Sequence, residues 1–109
     1  MKFSTKTTTD GAKRLTLNGD LTIYDAAEIK KRLINAVRAG SVLELDLSQV
    51  GEIDTAGFQL LALAKRESQT LEHDLHIVGH SPMVREVIEF FNMVAFFGDP
   101  LVIPANEQS

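Results

Sequence analysis

Apolar and polar residues alternate near the start of the chain, which is the two-residue period of a β-strand with one buried face. The segment from Phe3 to Thr9 is rich in β-branched threonine, and Lys13 to Leu17 alternates polar and apolar side chains. The turn residues Asp10-Gly11 between them predict an opening hairpin. We expect a second turn at Asn18-Gly19, followed by the segment from Asp20 to Tyr24.

Three later stretches carry apolar residues at the three- and four-residue spacing of an amphipathic helix. The first is predicted to begin at an Asp25 cap and to end at Gly40. The second runs from Thr55 to about Ser68. The third starts at Ser81-Pro82, with serine as the N-cap and proline at the first helical position, and ends near Asn92.

Strands are predicted between these helices. Ser41 to Leu47 should be a central strand, Ser48 to Ile53 a connection, and Leu75 to Val78 another strand. Val94 to Phe97 and Leu101 to Ile103 are candidates for a short edge strand. Alternating strands and helices require crossover connections, so the predicted fold class is α/β, with a mixed β-sheet covered by about three helices.

The length of the chain favours a single domain. Its 109 residues are 44% hydrophobic and 24% charged, which is typical of an ordinary globular protein. We expect one domain over residues 1–105 and a short C-terminal tail over residues 106–109.

Charge and hydropathy argue against some binding partners. The net charge is −4, and the one dense basic run is Lys30-Lys31-Arg32, which we expect to be a solvated helix face rather than a nucleic-acid site. No stretch approaches the roughly 18 apolar residues of a membrane span, and the start lacks the apolar core of a signal peptide. We therefore expect a cytoplasmic protein without direct membrane insertion.

The chain offers little catalytic or metal-binding chemistry. It has no cysteine, and its three histidines, His73, His76 and His80, accompany no nucleophile elbow or triad pattern. His76 and His80 are four residues apart, the spacing of two metal ligands on one face of a helix. Gly79 and the predicted strand, however, argue against a helix at this segment. Gly-rich phosphate loops are absent too, so we expect no enzyme activity, no metal and no cofactor.

The segment Asp54-Thr55-Ala56-Gly57 carries the most informative chemistry. Asp54 is a good N-cap for the second helix, and capping alone could account for it. The hydroxyl of Thr55, however, lies where the helix dipole and free N–H groups favour negative charge. A phosphate there would add a charge of about −1.5 to −2 beside the Asp54 carboxylate, which suggests a phosphorylation switch.

The helical projection of the second helix separates a core face from an outer face. Phe58 projects away from the core residues and falls beside Lys65 and Gln69 on the face that should be polar. An exposed aromatic ring near a helix N-terminus suggests a docking surface. The predicted core face consists of Gly57, Leu60, Leu61 and Ala64.

Several motifs, taken in order, resemble the STAS family of sulfate transporters and anti-sigma factor antagonists. The resemblance covers nearly the whole chain. The matching pieces are Asn18-Gly19-Asp20-Leu21, Leu45-Asp46-Leu47-Ser48-Gln49-Val50, Ile53-Asp54-Thr55-Ala56-Gly57-Phe58, Leu75-His76-Ile77-Val78-Gly79 and Ser81-Pro82.

This resemblance implies a non-catalytic bacterial switch in signal transduction and transcription regulation. Family antagonists carry a phosphorylated serine or threonine directly after the aspartate, which is Thr55 here. A kinase-like anti-sigma factor would bind the unmodified protein and phosphorylate it, and a cognate phosphatase would restore it. The implied partner-binding residues are Asp20, Asp54, Thr55, Ala56, Gly57 and Phe58.

Two alternatives stay open. Many antagonists have a serine or threonine at the position after the modified residue, where this chain has Ala56. A threonine at the position of Thr55 also occurs in the STAS subunit of a bacterial phospholipid-transport ABC complex, where the domain binds the ATPase. The other alternative is a docking domain without phosphorylation, and self-association through the same ring is equally open.

Overall fold

The computed structural model describes the backbone of residues 1–96 and the side chains of residues 1–90. In chain order, these residues form strand β1 (Lys2–Thr7), strand β2 (Lys13–Leu21), a 3-10 turn (Ile23–Asp25), helix α1 (Ala26–Ala39), strand β3 (Val42–Ile53), helix α2 (Thr55–Thr70), strand β4 (Asp74–His80) and helix α3 (Pro82–Phe96).

The four strands form one mixed sheet in the order β1-β2-β3-β4. The hairpin of β1 and β2 is antiparallel, whereas β2 pairs with β3, and β3 with β4, in parallel. The expected opening hairpin and α/β class are therefore confirmed. The two parallel pairings also explain why α1 and α2 separate their strands, since a parallel pair needs a crossover connection.

One face of the sheet carries the core. On β3, Leu43, Leu45 and Leu47 are at most 2% exposed, while the intervening Glu44 and Asp46 are only half-buried. All three helices contribute to the same apolar cluster, so they cover this face together. The fully buried helical residues of the cluster are Ile29, Leu33, Val37, Ala64 and Val84.

Two predictions at strand ends were wrong. Asn18-Gly19 is not a turn, because both residues lie within β2 and pair with β3. The pairing is irregular on either side of Gly19, whose φ of +134° suits a residue without a side chain. Ser48 to Ile53 is not a connection either, since β3 continues to Ile53.

The helix boundaries agree more closely with the sequence. Ser81 caps α3, with its Oγ accepting from the Val84 N–H at 3.2 Å. Asp25 occupies the N-cap position of α1, but its side chain makes no capping hydrogen bond and lies 3.5 Å from the Met1 amino group instead. Gly40 ends α1, as expected.

The end of the described chain corrects one further prediction. Residues 94–96 belong to α3, so the proposed strand from Val94 is wrong, and α3 passes the expected end near Asn92. Leu101 to Ile103 and the tail over residues 106–109 lie outside the described residues. Among the residues that the structure describes, no helix is long and apolar enough to cross a membrane.

Candidate functional site

The Asp54 carboxylate joins two segments that are distant in sequence. One oxygen, Oδ1, accepts a hydrogen bond from the Gly57 N–H at 2.8 Å, which confirms the expected N-cap of α2. The other, Oδ2, accepts from the Ile23 N–H at 3.0 Å. This single side chain therefore holds the 3-10 turn after β2 against the start of α2.

The same hydrogen bonds fix the charge of Asp54. The Gly57 N–H is the largest influence and, with the smaller contribution of the Ile23 N–H, it lowers the pKa of the carboxyl below its ordinary value. Backbone donors stabilise the ionised form, so Asp54 is a carboxylate at neutral pH. Any group added to Thr55 would meet this negative charge.

Gly57 allows α2 to start directly over the end of β2. A Cβ at this position would lie 1.9 Å from the Leu21 carbonyl oxygen, much closer than any real contact. The same oxygen accepts a hydrogen bond from the Asp54 N–H at 3.3 Å. Gly57 thus has a structural reason to be glycine, and it sets the position of the helix terminus.

Thr55 is exposed at the first position of α2, and Ala56 beside it is half-buried. The adjoining 3-10 turn presents two large apolar side chains, with Ile23 61% and Tyr24 93% exposed. The Asp54 bond to Ile23 brings this turn next to Thr55. We call the surface formed by Ile23, Tyr24 and Thr55 the Thr55 surface.

Sequence reasoning missed Ile23 and Tyr24 as site residues. One signal was present: two bulky apolar residues stand between the end of a strand and the first apolar position of α1, outside either periodicity. Their proximity to Thr55 depends on the hydrogen bond to Asp54, which crosses 31 positions of the chain. Local patterns do not reveal such a contact.

The prediction that the Phe58 ring is exposed was wrong. Phe58 is half-buried, and it lines an apolar groove of about 470 Å³ with Leu61 of α2, Ile77 of β4 and Ile88 of α3. The projection assumed one core face on α2, but β4 packs against a second side of this helix, and Ile88 of α3 borders the groove there. Phe58 therefore belongs to this groove and not to the Thr55 surface.

Asp20 supports the neighbouring strands. Its side chain is exposed at the end of β2, and Oδ1 accepts a hydrogen bond from the Glu52 N–H at 3.0 Å. Glu52 precedes Asp54 by two residues, so Asp20 lies at the edge of the sheet from which α2 departs. The contact gives Asp20 a structural role near the Thr55 surface.

The histidines are not assembled into a site. His73 Nδ1 lies 2.9 Å from the Val37 carbonyl oxygen, while His76 and His80 are exposed on β4. Within the described part of the chain, no group of three or more histidine, aspartate or glutamate side chains is placed to hold a metal ion.

Comparison with known proteins adds a family and a fold. A family model described as "Mlab, STAS domain" matches residues 4–102. No curated protein sequence matches this chain.

Solved structures of similar fold include anti-sigma factor antagonists. One from Mycobacterium paratuberculosis is 19% identical, with a TM-score of 0.74 over 93% of this chain and 86% of the other. The unphosphorylated form of the antagonist SpoIIAA is 20% identical, with a TM-score of 0.68 over 84% and 82%. The phosphorylated form of the Bacillus cell fate determinant SpoIIAA is 19% identical, with a TM-score of 0.65 over 86% of both chains. At these identities the likeness establishes the fold.

Proposed function

This chain belongs to the STAS domain family, and on that basis we propose that it is a non-catalytic protein-interaction module whose partner binds the Thr55 surface. The observation that carries the proposal is the double hydrogen bond of Asp54, which fixes the turn with two exposed apolar side chains against the start of the helix that carries the exposed Thr55. Docking to a surface held in place before binding loses less conformational entropy than docking to a loose one.

The chemistry of the Thr55 surface suits a protein partner. Tyr24 offers a large ring with a polar tip, a residue type enriched among the side chains that dominate binding energy at interfaces. Ile23 adds apolar area, and the Thr55 hydroxyl can donate or accept a hydrogen bond. Ligand pockets, by contrast, are concave, and this surface consists of projecting side chains.

We further propose that phosphorylation of Thr55 switches this interaction. A phosphate would add a charge of about −1.5 to −2 at neutral pH, within a surface that otherwise offers apolar contacts. It would stand next to the Asp54 carboxylate, so a partner fitted to the unmodified surface would meet a desolvation cost and an altered charge. Two structures of similar fold are of SpoIIAA in its unphosphorylated and phosphorylated forms, which supports the idea.

In this proposal the partner is an anti-sigma factor that is also a serine or threonine kinase, and a phosphatase reverses the modification. The unmodified protein would bind the anti-sigma factor and release a sigma factor in the bacterial cytoplasm. The likeness to anti-sigma factor antagonists supports this assignment through the fold.

The test is intact-mass measurement with peptide mapping of the protein recovered from its native cells under phosphatase inhibition. We expect phosphate at Thr55 in an amount that varies with growth condition. Thr55→Glu should weaken partner binding, and Thr55→Ala should retain it without regulation. Equal partner binding by both variants, with no phosphate under any condition, would contradict the switch.

A second candidate is the STAS subunit of a phospholipid-transport ABC complex, binding the ATPase. Two observations favour it: the matching family model carries the name Mlab, and Ala56 replaces the second hydroxyl of many antagonists. Here the Thr55 surface would be a permanent interface. Recovery of a transporter ATPase with the tagged protein, without phosphate at Thr55, would favour this candidate, whereas recovery of a kinase would favour the first.

A docking domain without covalent regulation, or one that binds a second copy of itself, makes a different prediction. Tyr24→Ala would then abolish the interaction while Thr55→Ser and Thr55→Ala behave alike. Sedimentation of the purified protein over a range of concentrations separates self-association from binding to another protein.

A further inference from the structure

A groove separate from the Thr55 surface lies between the carboxyl half of α1 and the sheet. The groove has a volume of about 490 Å³, within the range of small-molecule sites. Its apolar lining consists of the half-buried Ala36 and the exposed Ala39 of α1, above Leu15 of β2 and Leu43 of β3, which are each 2% exposed. The Thr55 surface adjoins the start of α1, so the two sites occupy different parts of this helix.

Three cations line this groove: Lys13 of β2, and Lys31 and Arg32 of α1. None of the lining residues is acidic, although the chain as a whole has a net charge of −4. The sequence predicted a solvated face for the basic run on α1. In the structure, Lys13, which is distant in sequence, lines the same groove as this run, so part of the predicted face is one wall of the groove.

The cations are only weakly neutralised. Arg32 lies 3.9 Å from Glu28 in an exposed pair one helical turn away, and its guanidinium carbon lies 4.7 Å from the centre of the Phe3 ring. Among the described residues, neither Lys13 nor Lys31 forms an ion pair within 4.0 Å. The carboxyl end of α1 carries a partial negative charge, so these side chains must supply any attraction for an anion.

We propose that this groove binds a phosphate monoester with an apolar or aromatic body. The phosphate would lie among Lys13, Lys31 and Arg32, and the body would lie against Ala36 and Ala39. A phosphate monoester carries about −1.5 to −2 charges at neutral pH, so it can interact with all three cations at once. Contact of the body with Ala36 and Ala39 would distinguish the monoester from inorganic phosphate, which gains nothing from the hydrophobic effect.

The experiment is isothermal titration calorimetry of the full chain with 1-naphthyl phosphate. Inorganic phosphate and 1-naphthalenemethanol test the charge and the ring separately, and both should bind more weakly than the combined probe. A phosphate monoester could be part of a free metabolite or of a lipid headgroup. Cosedimentation with phosphatidylcholine vesicles, with and without phosphatidic acid, then distinguishes these two sources. Binding only to the soluble probe indicates a free metabolite, and binding to the phosphatidic acid vesicles indicates a lipid headgroup.

Removing cations should weaken this binding. The double variant Lys13→Gln/Lys31→Gln should raise the Kd for 1-naphthyl phosphate about tenfold, because it deletes the charge contacts of the half-buried Lys13 and the exposed Lys31. Lys31→Gln alone, at an exposed helical position, should raise the Kd about threefold without affecting folding. Lys6→Gln is the matched control, since Lys6 is exposed on β1 and does not line the groove, and its Kd should be unchanged.

The proposal is overturned if wild-type protein shows no saturable binding of the probe, or if 1-naphthalenemethanol binds as tightly. It is also overturned if the double variant and the Lys6 control have equal affinities. Loss of this binding would leave the Thr55 surface unaffected, because the two sites share no residue.

Discussion

Gly57→Ala tests the packing that positions the Thr55 surface. A Cβ would lie 1.9 Å from the Leu21 carbonyl oxygen and 2.8 Å from its carbon, and ordinary contacts begin at 3.4 Å. Both atoms are backbone atoms of a strand paired with β3, so no side-chain rotation relieves the clash. The start of α2 must move away from β2, which loosens the Asp54 N–H bond to the same oxygen.

We expect this change to lower the free energy of unfolding by about 3 kcal/mol, at the upper end of the usual cost of overpacking. At about 1–2 kcal/mol per molar for a chain of this size, the urea midpoint should fall by roughly 2 M. Urea unfolding followed by circular dichroism measures it, and equal slopes for the two proteins would show that the shift in midpoint reports a change in stability.

Gly40→Ala is the matched control. Gly40 has an extended backbone with φ of −158°, which alanine adopts freely, and a Cβ there would be 3.6 Å from the nearest atom, Lys13 Cγ. Its free energy of unfolding should stay within about 0.5 kcal/mol of wild type. Equal midpoints for Gly57→Ala and Gly40→Ala would refute the close approach of α2 to β2.

Three further predictions concern the caps and the Thr55 surface. Asp54 has a lowered pKa, so its ionised form stabilises the fold above about pH 4, and this contribution disappears as the pH falls through the lowered value. Asp54→Asn should therefore be less stable than wild type at neutral pH by a margin that narrows in acid, and parallel stability curves between pH 7 and pH 3 would contradict this. Ser81→Ala should cost about 1 kcal/mol in urea unfolding through the lost α3 cap, while Ser41→Ala, at an exposed position before β3, should cost less than half as much. Tyr24→Ser should leave stability within about 0.5 kcal/mol, because the side chain is 93% exposed, yet weaken partner binding, and an unchanged affinity would remove Tyr24 from the interface.

Local signals in the sequence predicted most helix boundaries. The Asp54 and Ser81 caps depend on residues three positions away, so the pattern of side chains was sufficient to find them. Asn18-Gly19 is also a strong local signal for a turn, but parallel pairing with β3 overrides it. In this chain, turn-forming residues predicted a turn correctly only where no neighbouring strand pairs with them.

The candidate site was predicted only in part. Asp54, Thr55 and Gly57 are adjacent in sequence, so their motif could be read directly. The partial burial of Phe58 depends on β4 and α3, and the place of Ile23 and Tyr24 depends on a hydrogen bond across 31 positions. These are tertiary contacts, which the periodicity of a single segment does not contain.

Site-specific photo-crosslinking in the native cells shows whether a partner protein binds the Thr55 surface. A benzophenone amino acid would replace Tyr24, on the Thr55 surface, and in a second strain Val78, which is 43% exposed on β4. We expect a discrete protein adduct from position 24 that is lost when Thr55→Glu is added, and no such adduct from position 78. No adduct at position 24, or the same adduct from both positions, would contradict a partner that binds the Thr55 surface.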